Sequence, residues 1–321
     1  MEKAGPQRTR KLSRRAPRPV DRRATESEFI RSALRGTPAL EPAVNNAMLD
    51  LVSRAKNVPI YQYLGGPARY KARLLGHLEG AGPADSAPSL ERAKRQGIQA
   101  FTTAAPLRDA MIPLRAYVDL VRKQYANMQA LAGPSAEWVL DAAGAMTPGD
   151  AATIAVALEP SHAIWFDEPT AVTSPDSLAK IVDESVMPIG LGRNITDLTA
   201  FQSLLASGSV NIVRPNLALN SLAKIKRLAA LAETHYVGIA PFHNGGPIGS
   251  MAGIHLNASL LYAYAQQIPV PASDRDAAMR AEITSGMREI GHKGFFALVN
   301  RPGLGFEVNE KALDAWTEER I

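Results

Sequence analysis

From residue 43 the chain shows a regular alternation of apolar and polar positions. Ala43, Val44, Ala47, Met48, Leu51 and Val52 recur at helical spacing, and Asn57-Val58-Pro59 ends the helix they predict. After Gly65-Gly66-Pro67, short apolar runs alternate with longer amphipathic stretches. The runs predict strands near 72–79, 98–104, 137–142, 162–167, 187–192, 210–215, 237–241 and 260–266. Helices are expected between most of them, among others over 89–96, 111–131, 148–158, 175–184, 197–207 and 221–234. Runs such as Ala163-Ile164-Trp165-Phe166 suit strands covered on both faces by helices. Eight such repeats in one series predict an α/β fold of the closed (β/α)₈ kind rather than an open doubly wound sheet. No Gly-x-Gly-x-x-Gly follows the first strand, so a dinucleotide site lacks its usual support.

Composition narrows the picture. The 321 residues suffice for one barrel of roughly 250 residues with a modest extra piece. No run reaches the ~18 apolar residues of a membrane span, so no membrane partner is expected. Cysteine is absent, which excludes disulfides, thiolate metal sites and cysteine nucleophiles together and suits a cytoplasmic protein. The formal net charge is +5, and residues 1–30 supply all of it, with nine Lys/Arg against four Asp/Glu. This stretch, with Arg14, Arg15, Arg22, Arg23, Pro17 and Pro19, has almost no apolar periodicity and reads as a loosely packed basic tail. Nucleic acid or another polyanion is expected to contact the tail alone, if any part. No apolar segment follows the charges, so a signal peptide is not expected.

Polar residues gather just past several predicted strand ends. They are Asp141, then Asp167 and Glu168, then Arg193 and Asn194, then Asn216, then His243 and Asn244. In a (β/α)₈ barrel these ends share one mouth, where the chemistry sits. Any one of them could equally be a helix cap or a loop turn. Five successive ends with this pattern point to a site.

The chain resembles the mandelate racemase and muconate lactonizing branch of the enolase superfamily. Ala47-Met48-Leu49-Asp50-Leu51 and Val58-Pro59-Ile60-Tyr61-Gln62-Tyr63-Leu64-Gly65-Gly66-Pro67 resemble its helix and turn leading into the barrel. Asp141-Ala142-Ala143-Gly144-Ala145-Met146-Thr147-Pro148 is similar to its Asp-Ala-Asn-Gly-Ala-Trp-Thr-Pro element, and Trp165-Phe166-Asp167-Glu168-Pro169 to its paired-acid strand end. Pro188-Ile189-Gly190-Leu191-Gly192, Ala240-Pro241-Phe242-His243 and Pro302-Gly303-Leu304-Gly305 match further elements in the correct order, over about residues 43–312. The resemblance implies a short, mainly helical remnant of the enolase capping domain before the barrel. Residues 1–42 would be the tail and truncated cap, 43–66 the helix and turn, 67–300 the barrel, and 301–321 a C-terminal return segment. With so short a cap, the mouth is expected to be open and wet.

The family's chemistry is removal of a proton beside a carboxylate, with Mg²⁺ on three acids stabilising the enediolate. The resemblance places the metal ligands, if a metal binds, at Asp141 and at Asp167 or Glu168. The third acid position holds Arg193, and a guanidinium cannot ligate Mg²⁺. The Lys bases of the second strand are replaced by Thr102-Thr103. The family's His–Asp dyad falls on Phe242, with His243 one residue late, and on Asn216. Its acid after the eighth strand falls on Gln267. His243, Asn216 and Arg193 are the candidate catalytic residues, and Arg214, Asn244, Asn194 and Thr102 the candidate substrate contacts. Arg193 is expected to take the metal's space and bridge Asp141 and Asp167. His162, His235 and His255 read as structural or surface residues.

Two function classes follow. One is a barrel without Mg²⁺-dependent enolisation that binds a small carboxylate or sugar-acid ligand or acts as a partner subunit. The other is an active lyase or isomerase on a sugar or hydroxy acid. A homo-oligomer is expected in either case.

Overall fold

The computed structural model describes residues 39–80, 82–109, 111–171 and 174–318, and the basic tail expected over residues 1–30 lies outside them. Helix α1 (Leu40–Ala55) and the turn α2 (Ile60–Tyr63) lead into the barrel. Its units are β1 (Lys71–His77) with α3 (Pro83–Arg95), β2 (Ala100–Ala104) with α4 (Leu114–Ala132), and β3 (Glu137–Asp141) with α5 (Pro148–Leu158). Then come β4 (Trp165–Asp167) with α6 (Pro175–Val182), β5 (Ile189–Leu191) with α7 (Leu198–Ala206), and β6 (Ile212–Val213) with α8 (Leu222–Thr234). The last two units are β7 (Gly238–Ile239) with α9 (Pro247–Ala258) and β8 (Gln266–Pro269) with α10 (Asp274–Ile283). Strand β9 (Phe295–Ala297) and helix α11 (Glu310–Glu318) follow.

Neighbouring strands are parallel from β7 through β1 to β8, and β9 adds antiparallel to the outer end of β1. The ring closes just before β8: Ile239 N–H donates to Tyr262 O at 2.9 Å, and Tyr264 N–H to Ile239 O at 2.7 Å. The expected strand at 260–266 therefore divides into a closing segment and β8 proper, a few residues later. The helix between β7 and β8 was not expected from periodicity, and α9 shows why. Ten of its twelve residues are buried, so it carries no polar face to set a period.

Strand side chains alternate between two cores. Outward residues such as Phe101, Trp138, Leu140 and Phe166 pack under the helices, while Leu75, Ala100, Val139, Trp165, Ile212, Ala240 and Ala265 fill the barrel. Trp165 is the bulk of that inner layer. Gly190 on the adjacent strand makes room for it, since a Cβ there would lie 2.4 Å from the indole Cδ1.

Helix α1 is held to the return segment by its own charged residues. Asp50 Oδ1 accepts from Leu304 N–H at 2.7 Å, and Arg54 donates to Phe306 O at 2.6 Å and pairs with Glu307 at 2.5 Å. The two ends of the described chain thus brace each other beside the barrel.

Candidate active site

Two residues on from the inner apolar layer, the same alternation points the strand ends into the mouth: His77 after Leu75, Thr102 after Ala100, and Asp141 after Val139. Likewise Asp167 follows Trp165, Arg214 follows Ile212, Phe242 follows Ala240 and Gln267 follows Ala265. Asp141 and Asp167 are register partners on β3 and β4, which brings two buried carboxylates side by side.

Arg193, just past β5, answers both. Its Nη2 donates to Asp141 Oδ2 at 2.8 Å and to Asp167 Oδ2 at 2.6 Å. The Phe242 ring lies 4.3 Å from the guanidinium carbon, so the cation sits between an aromatic face and two anions. Burial alone would pull the Arg193 guanidinium down, but Asp167 and Asp141 hold it above its ordinary range. Glu168 takes a different part. Its Oε1 accepts the backbone N–H of Gly192 at 2.8 Å and of Arg193 at 2.7 Å, which fixes the turn that aims Arg193. Glu168 does this from a left-handed backbone (φ 43°), and burial with Asp167 beside it pushes its carboxyl upward.

The remaining contacts of Asp167 come from below and beside it. Its Oδ1 accepts from Trp165 Nε1 at 2.9 Å and from Arg214 Nε at 3.0 Å. Arg214 also donates to Ala240 O at 2.6 Å and to Gln267 Oε1. It is fully buried, so its donors are spent inside the barrel. The expected substrate contact at Arg214 is thus corrected to a structural tie beneath the mouth. Each carboxylate has a partner, as burial demands. Among the polar atoms of this network, Arg193 Nε and Gln267 Nε2 are buried without one.

Other expected site residues spread out. His243 turns away from the mouth because Phe242 takes the inward position and the next side chain points back. Its Nε2 donates to Gly246 O at 2.9 Å, and the ring lies where a Cβ on Gly249 would come within 2.2 Å. Burial lowers its pKa, and its Nε2 proton is spent on the loop carbonyl rather than offered to the mouth. Asn216 closes a turn through its side-chain oxygen, which accepts from Ala218 N–H at 2.9 Å. Asn194 and Asn244 are exposed on the loops past β5 and β7. Thr102 is buried and meets His77, with Oγ1 and Nδ1 2.9 Å apart. His77 itself was missed by sequence reasoning. The available signal was a histidine two residues beyond an inward-facing Leu75.

The family model described as "Enolase C-terminal domain-like" matches residues 87–312. The chain belongs to the enolase superfamily. Within it, the chain is 27% identical over 269 residues to D-galactonate dehydratase of Verminephrobacter eiseniae, covering 83% of this chain and 70% of that protein. Against D-galactonate dehydratase of Pectobacterium atrosepticum the identity is 26% over 282 residues, covering 86% and 74%. Solved structures share the fold. A mandelate racemase/muconate lactonizing enzyme-like protein from Rubrobacter xylanophilus has a TM-score of 0.76 at 24% identity, covering 90% of this chain and 81% of that one. A mandelate racemase/muconate lactonizing enzyme from Jannaschia has a TM-score of 0.73 at 22% identity, covering 90% and 79%. No helix among the described residues of this chain is long and apolar enough to cross a membrane.

Proposed function

We propose that this barrel binds a small carboxylate of the sugar-acid class at its mouth and does not carry out Mg²⁺-dependent enolisation. The observation behind this reading is the single Nη2 of Arg193 on both Asp141 Oδ2 and Asp167 Oδ2. The family implies Mg²⁺, but the donor set here does not fit it. The third ligand is a cation, the two facing acid oxygens are already occupied by it, and among the described residues no three His, Cys, Asp or Glu side chains group to hold a metal. Arg193 on both acids and Arg214 on Asp167 together balance the two carboxylates without a bound ion.

What the mouth offers instead is attraction for an anion. Asp141 and Asp167 are buried behind Arg193, while Arg193, Phe242 and His77 keep part of their surface open. A carboxylate suits a guanidinium edge, and the dehydratase relatives favour a polyhydroxy acid over other anions. The same relatives favour a second reading, an active lyase in which Arg193 swings aside and the acids take a metal. A screen of sugar and hydroxy acids, with and without Mg²⁺, separates the two. Thermal stabilisation by an acid without turnover supports the first, and turnover abolished by chelation establishes the second. We carry a cytoplasmic homo-oligomer within the same proposal, checked by cell fractionation and sedimentation.

A further inference from the structure

Resting on the carboxylate-binding reading, we propose that His77 is a fixed hydrogen-bond donor to the ligand and not a replacement base. Thr102 is buried, and among the described residues the one side-chain partner of its Oγ1 is His77 Nδ1 at 2.9 Å. The two residues are register partners on β1 and β2, so the strand pairing holds them together. A neutral imidazole carries one proton, on one nitrogen. If that proton were on Nδ1, it would point at Thr102 Oγ1, and the Thr102 hydroxyl proton would be sealed in with no acceptor. If Thr102 donates to Nδ1 instead, both groups are satisfied and the proton resides on Nε2. Burial keeps the ring neutral, with Arg193 and Arg214 opposing the pull of Asp141.

Among the described residues His77 Nε2 makes no hydrogen bond, and it is not one of the buried unpartnered atoms, so it is open toward the mouth. Two polar groups open to the mouth, the Nε2–H of His77 and the guanidinium of Arg193, are then both donors. A ligand group that meets both must accept, as a carboxylate does. Nε2 already holds a proton and Nδ1 is occupied, so the ring has no site for a proton taken from a substrate. Thr102, expected to touch substrate, becomes a positioning residue that sets the tautomer.

Nitrogen NMR of the ¹⁵N-labelled protein tests this without a variant: Nδ1 is expected to be unprotonated and Nε2 protonated, and the reverse assignment overturns the inference. D-galactonate and its neutral counterpart galactitol then serve as binding probes. We expect galactonate to bind, galactitol not to, and His77→Leu to weaken galactonate binding about tenfold or more. Thr102→Val should mix the tautomers and cost less affinity than His77→Leu. Galactonate binding in His77→Leu within twofold of the wild type overturns the role of His77 and leaves the carboxylate reading intact. Failure of the wild type to bind galactonate overturns both.

Discussion

Arg193 carries two carboxylates on one nitrogen at 2.8 and 2.6 Å, in a place where all three side chains are largely buried. Burying charge is costly, and removing one partner of such a cluster leaves the others uncompensated. Arg193→Ala should therefore lower unfolding free energy by about 3 kcal/mol, read from denaturant midpoints. Arg193→Lys should recover only part of it, since an ammonium is more strongly hydrated and so costs more to bury, and it loses the stacking of the planar guanidinium on Phe242. The position of Arg193 was legible from the run Gly190-Leu191-Gly192, and so was the pair it bridges. The orientation of neighbours was not. His243 lies one residue past the inward position and faces its own loop, whereas Arg214 points inward but ends beneath the floor. His77 went unread because its meaning depends on Thr102, 25 residues away and one strand over.

At the scale of elements, the inner layer relies on the close approach of β4 and β5. Gly190→Ala would set a Cβ 2.4 Å from Trp165 Cδ1 and 2.7 Å from Asp167 Oδ1. The expected cost is about 1–3 kcal/mol, measured by chemical denaturation. Helix α9 supplies a second test through His255, which stacks on Tyr61 at 5.6 Å and donates from Nε2 to Leu304 O at 3.2 Å. Burial holds this imidazole below its ordinary value of about 6.5. The unfolded chain thus takes up the proton first. The stability His255 contributes is present above about pH 6.5 and is lost as pH falls through the lower folded value. Denaturant midpoints between about pH 7.5 and pH 5 should fall, and His255→Gln should flatten that fall. Helices with a polar face were visible as a period in the sequence, and α9, buried all round, was not.

Across the whole molecule, the order of motifs from residue 43 to 312 carried the fold, because each strand–helix unit repeats the same local pattern. The ring of strands, the brace between α1 and the return segment, and the family match over residues 87–312 agree with it. Function is less tied to the fold, because it turns on a few side chains at one mouth. Here the Arg193 guanidinium stands at that mouth on Asp141 and Asp167. The most direct measurement is calorimetric titration of Mg²⁺ into the native protein and into Arg193→Glu. The account predicts no binding to the native protein at micromolar Mg²⁺, and binding to Arg193→Glu, whose third carboxylate joins Asp141 and Asp167. Micromolar Mg²⁺ affinity in the native protein would contradict it.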